Sequence, residues 1–112
     1  MLFISAEDFF AQAGAVTRLT RDQEKVLARQ MAAGDEAARE ELIRSYLPMV
    51  AGFIRRSPRD LHTLQTVYIC LDALQKGVDS FNFLQDREPF THHLSWRLRQ
   101  AITRCIADQR QS

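Results

Sequence analysis

The chain has 112 residues and a mass of 12.9 kDa, with 46% hydrophobic and 26% charged side chains. That length suits one domain, residues 1–112, and the composition excludes a disordered chain, which lacks the apolar residues to offset ordering entropy. Four Gly and three Pro exclude collagen or a low-complexity linker, and the longest uncharged apolar stretch, Leu47 to Ile54, is eight residues, too short to span a bilayer.

Glu7 and Asp8 arrive at once with no basic leader before them, so no secretory signal is expected and a cytoplasmic location is. Cys70 and Cys105 make neither a disulfide framework nor a zinc spacing, and read as two reduced core thiols. The net charge is only +1, but thirteen of the fifteen basic residues are Arg. Through Ile54 there are six basic and eight acidic side chains, net −2; from Arg55 onward there are nine and six, net +3. An acidic front and a basic tail suggest two faces for two partners, although four arginines can also merely solvate a helix.

The elements read as helices. Ser5 with Asp8 opens a first helix that Gly14 stops. Thr20, with Gln23 and Glu24, resembles a capping box that opens a second, through about Ala33. Gly34 suits a left-handed C-terminal position and Asp35 the cap of the next helix. That third helix runs from about Glu36 to Arg55, with Ala38, Leu42, Ile43, Leu47, Val50 and Ile54 at three- and four-residue steps and a kink expected at Pro48. Ser57-Pro58 ends it. A fourth runs from about Leu61 to Phe81, with Leu64, Val67, Tyr68, Leu71, Leu74, Val78 and Phe81 on one stripe. Asn82 to Pro89 is a polar loop containing Asp86, and a fifth helix covers about Thr91 to Gln109. No strand alternation appears. The fold class is all-α, a bundle of four to five helices.

The fifth helix carries the functional argument. Leu94, Leu98, Ala101, Ile102, Cys105 and Ile106 form its apolar face, expected to pack on the fourth helix. Opposite fall His93, Trp96, Gln100, Thr103 and Ala107, flanked by Arg97, Arg99, Arg104 and Arg110. An indole bordered by guanidiniums and pointing away from a core suits nucleic acid, because rings stack on unpaired bases, amides and hydroxyls read base edges, and Arg neutralises phosphate. The plain alternative is that Trp96 plugs a second groove of the bundle.

The run Arg99-Gln100-Ala101-Ile102-Thr103-Arg104-Cys105-Ile106-Ala107-Asp108-Gln109 resembles the promoter-binding helix of bacterial sigma-70-type RNA polymerase sigma factors. Leu19-Thr20 with Glu24, Gly34-Asp35 with Ala38, and Leu42-Ile43 with Leu47 and Val50 resemble the leading helices of the same domain, domain 2; Phe90-Thr91 and Trp96 stand at matching spacing. The likeness covers about residues 19–109 as a sigma-like core, with residues 1–18 as a short helical extension. It implies binding to the clamp of the largest subunit of core RNA polymerase and recognition of the −10 promoter element with capture of flipped non-template bases. Gln100 and Thr103 would face the upstream edge of that element, Trp96 would wedge at the fork, and Arg99 and Arg104 would hold backbone.

Departures from the family pattern matter equally. Arg97 stands where a second Trp is usual, and His93 where a base-stacking Tyr is usual. In place of an acidic, amide-rich docking stretch the chain has Gln65-Thr66-Val67-Tyr68-Ile69-Cys70, with Ile69 expected outward beside Thr66, Ala73 and Lys76. Gln65, Thr66, Ile69, Asp72 and Lys76 are therefore the candidate polymerase- or partner-binding residues. The sequence ends at Ser112 without a helix-turn-helix for a −35 element, so a second chain supplying it is one expectation.

Catalysis is not expected. His92 and His93 point about 100° apart on a helix, so they do not chelate together. Glu36, Glu40 and Glu41 suit a helix start, and no glycine pattern makes a phosphate loop. No metal, cofactor or membrane partner is expected. Two functions survive: a sigma-like initiation factor, and a sigma-derived interaction module, dimeric or bound to a sigma or anti-sigma protein through the face around Ile69.

Overall fold

The computed structural model describes residues 2–85 and 87–111, the side chain of Gln111 excepted; Asp86, expected in the polar loop, lies outside the described residues. Among the described residues six α-helices make up the bundle and no strand is present, as the all-α expectation holds. They are α1 (Ala6–Gly14), α2 (Arg21–Ala32), α3 (Glu36–Ser45), α4 (Leu47–Arg56), α5 (Leu64–Ser80) and α6 (Phe90–Gln111), with a 3-10 turn at Arg59–Leu61.

Local capping accounts for the helix starts. Ser5 accepts the Asp8 N–H at 3.0 Å to open α1. Thr20 Oγ1 accepts from Gln23 N at 3.1 Å while Gln23 Oε1 accepts from Thr20 N at 2.9 Å, a reciprocal capping box on α2. Gly34 then takes φ +97°, open to glycine without a Cβ clash, and Asp35 caps Ala38 N at 3.2 Å.

The single helix expected over 36–55 is two helices. The break falls at Tyr46 (φ −101°, ψ 3°), not as a kink at Pro48. Ser45 Oγ donates to the Leu42 carbonyl at 2.6 Å, closing the last turn of α3. Pro48 becomes the second residue of α4, where the missing N–H has no intrahelical acceptor to lose and a fixed φ favours helix initiation. Starting α5 at Leu64 rather than Leu61 has a similar local cause: the 3-10 turn intervenes and Thr63 caps Thr66 N at 3.3 Å.

The core joins Phe9 of α1, Leu42 and Ile43 of α3, Val50 and Ile54 of α4, Val67, Leu74 and Val78 of α5, and Leu94 and Leu98 of α6, all essentially inaccessible. The expected pairing of the last two long helices is present, since α5 packs most extensively on α6, and α2 lies along α3. Phe81, Phe83 and Phe90 form a ring cluster with centroids 4.9–5.2 Å apart, and Tyr46 adds its ring 4.8 Å from Phe90. Tyr46 Oη also donates to Glu24 Oε2 at 2.7 Å, tying the α3–α4 break to α2, and burial pushes its phenol well above the ordinary value.

Tyr68 departs from its expected place in the core stripe. Its ring is 37% exposed, and its hydroxyl accepts from Phe3 N at 3.0 Å and donates to Phe3 O at 3.3 Å. Phe3 is buried edge-on to Phe9, with centroids 5.1 Å apart. The extended segment ahead of α1 is thereby strapped onto α5, with Leu2 and Ile4 pointing into solvent.

Candidate nucleic-acid interface

Leu94, Leu98 and Cys105 sink into the bundle and draw Ala101, Ile102 and Ile106 partly with them, so helical periodicity leaves the opposite side of α6 in water. On that side Trp96 is 60% exposed, and Arg99, Gln100, Thr103 and Arg104 are exposed at three- and four-residue steps along one continuous face. Among the described residues no ion pair ties Arg99 or Arg104 to a carboxylate. The indole opens onto a groove of about 650 Å³, walled by Ser80 and Phe81 at the end of α5, by Arg87 and Glu88 of the loop, and by His92, His93, Ser95 and Arg99 of α6. An aromatic plane, basic walls and uncommitted amide and hydroxyl groups on a rigid helix can stack a base, hold phosphate and read base edges.

Two residues of the expected surface are arranged differently. Arg97 is half-buried, with its Nε donating to His93 Nε2 at 3.0 Å and its Nη2 to Ser80 Oγ at 3.1 Å. The cause is a gap in α5: Gly77 has no side chain, and a Cβ there would sit 3.3 Å from Arg97 Cδ and 3.5 Å from Phe90 Cζ. His93, expected to present its ring to a base, is half-buried against Phe81 and Phe90, with centroids 5.4 and 6.0 Å away. Gly77 and Ser80 went unnoticed in the sequence because nothing local marks a glycine as a seat for a side chain twenty residues on.

The candidate partner face on α5 also divides. Gln65, Asp72 and Lys76 are exposed, and Lys76 Nζ pairs with Asp72 Oδ2 at 3.0 Å. Thr66, expected outward, is buried: its hydroxyl receives a hydrogen bond from Thr63 Oγ1 at 3.2 Å, and it shares a cleft wall with Cys105 of α6. Ile69, also expected outward, is half-buried at the wall of a cleft of about 320 Å³ shared with Thr63, Gln65 and Asp108. Both thiols are buried and free; burial pushes Cys70 up to about 12 and raises Cys105 as well. Among the described residues no cluster of His, Cys, Asp and Glu is placed to hold a metal, and no helix is long and apolar enough to cross a membrane.

Residues 7–37, which span α1, α2 and the start of α3, match the family model of sigma-70 factor, region 1.2. Over 102 residues the chain is 34% identical to the RNA polymerase sigma factor SigA of Listeria monocytogenes, covering 90% of this chain and 27% of that protein. SigA of Listeria innocua matches with the same identity and coverage. The chain spans about a quarter of the length of these curated relatives, given the 27% coverage. No solved structure matches it. The family match lies in α1–α3, away from the α6 face, and it takes in residues of the 1–18 segment to which the sequence reading gave no role.

Proposed function

We propose that the chain is a non-enzymatic, cytoplasmic, sigma-like transcription initiation factor that binds core RNA polymerase and −10-like promoter DNA. One observation carries this reading: Trp96 stands exposed beside a groove, on the same helix face as Arg99, Gln100, Thr103 and Arg104. Duplex opening costs a few kcal/mol per unstacked base, and an aromatic platform with basic walls offsets it by about 1–3 kcal/mol per stacked base. The 34% identity to a sigma factor supports the assignment of polymerase as partner, and the exposed Gln65, Asp72 and Lys76 are the docking residues on α5.

The test is fluorescence anisotropy with forked DNA bearing an unpaired −10-like strand, together with co-purification with core polymerase. Binding is expected to be salt-sensitive and to weaken for Trp96→Ala and for Gln100→Ala. Unchanged affinity in both variants removes the reading.

One observation favours the second reading, a sigma-fold interaction module without promoter opening. Leu2 and Ile4 are 88% and 89% exposed on the segment that Tyr68 straps to α5, an apolar surface beside the partner face. Sedimentation separates the two: a monomer at high concentration that co-purifies with polymerase excludes a self-associating module.

A further inference from the structure

We infer that Arg97 is a positioning residue, fixing the His93 ring at the wall of the Trp96 groove, and is not itself a phosphate contact; the inference rests on the DNA-reading role proposed above. The guanidinium serves two helices at once. Its Nε donates to His93 Nε2 at 3.0 Å within α6, and its Nη2 donates to Ser80 Oγ at 3.1 Å on α5. Ser80 Oγ has two acceptors for its own proton, the Gly77 carbonyl at 3.2 Å and His93 Nε2 at 3.4 Å, and toward Arg97, whose guanidinium only donates, the hydroxyl is the acceptor. The Arg97 stem lies in the space that Gly77 leaves, 3.3 Å from where a Cβ would be.

This arrangement fixes the imidazole chemically as well as sterically. A ring nitrogen that accepts from Arg97 carries no proton, which places the proton of the neutral ring on Nδ1. The ring is also held by Phe81 and Phe90, 5.4 and 6.0 Å away, and both His93 and Phe81 line the groove beside Trp96. Arg97 therefore acts on a base only through His93. Lysine does not substitute for it, because a single ammonium lacks the planar fork that meets two acceptors on different helices.

The experiment uses the full chain. Affinity for forked −10-like DNA is measured between about 50 and 200 mM salt, with the ring nitrogens of His93 followed by NMR at pH 8 without DNA. Arg97→Lys and Arg97→Gln are each expected to weaken binding about fivefold, the loss of one hydrogen-bonded unit, with the salt slope unchanged. Both are expected to shift His93 away from the Nδ1–H tautomer that the parent shows. Ser80→Ala keeps the charge and removes an acceptor, so it is expected to weaken binding without altering the slope, and it stands in should an Arg97 variant fail to fold. Parental affinity in Arg97→Lys, or a slope reduced by about 0.9 in Arg97→Gln, overturns the inference. So does an Nε2–H tautomer in the parent. Trp96→Ala and Gln100→Ala run alongside separate the two levels: if both bind like the parent the DNA reading fails, while the His93 tautomer still decides whether Arg97 holds the ring.

Discussion

Arg39 grips Asp79 through two parallel hydrogen bonds, Nε to Oδ1 at 2.7 Å and Nη2 to Oδ2 at 2.8 Å, and so joins α3 to the last turn of α5. The guanidinium holds the Asp79 carboxyl below the usual carboxylate range. With side chains 25% and 53% exposed, solvent screens the pair, and Asp79→Asn is expected to cost about 0.5 kcal/mol at pH 7. Because the folded pKa is the lower one, this contribution is present above the unfolded value near 4 and is lost as pH falls through the folded value. Urea titrations of parent and variant are expected to differ at pH 7 and to converge in acid.

Trp96→Ala separates function from stability. The indole is 60% exposed, so its removal is expected to change unfolding free energy by less than about 0.5 kcal/mol. Affinity for forked DNA is expected to fall by about 1–3 kcal/mol, one stacked base. Melting curves and anisotropy on one preparation check both halves.

Leu98→Ala makes the opposite trade. Leu98 is wholly buried on the inner side of the same helix, so truncation is expected to cost about 2–5 kcal/mol by leaving a cavity. Equilibrium unfolding measures the loss.

Tyr46→Phe keeps the ring against Phe90 and deletes only the bond to Glu24. The expected cost is about 1 kcal/mol, read by urea denaturation.

Cys70 and Cys105 are expected to resist iodoacetamide at pH 8 in the folded protein and to react in denaturant, because burial holds Cys70 near 12 and Cys105 above its ordinary value. The sign for stability follows: unfolded thiols ionise near pH 8.5 while the folded ones keep their protons. Stability is full below that pH and declines as pH rises above it.

Where the fold was legible, short-range chemistry wrote it. Thr20 and Gln23 announce the start of α2, Gly34-Asp35 the next boundary, and the apolar stripe of α6 follows the helical repeat. The break at Tyr46 was hidden because the three- and four-residue steps run on from Leu42 and Ile43 to Val50 without interruption, and Pro48 fits a kink and a first turn equally well. Exposed members of the α6 face could be picked from a helical wheel, which identifies the side opposite the core. The wheel misplaced Arg97 and Thr66 because each is claimed by another helix: Arg97 by the vacancy at Gly77, Thr66 by the cleft wall it shares with Cys105. Phe3 and Tyr68 are 65 residues apart, and no local pattern pairs them.

The final turn of α5 holds two neighbours through consecutive residues, Asp79 reaching Arg39 of α3 and Ser80 reaching Arg97 of α6. Fraying of that single turn would therefore let go of both sides together. Hydrogen–deuterium exchange at the amides from Gly77 to Ser80 thus monitors, in one place, how firmly α6 is moored to the remainder of the bundle.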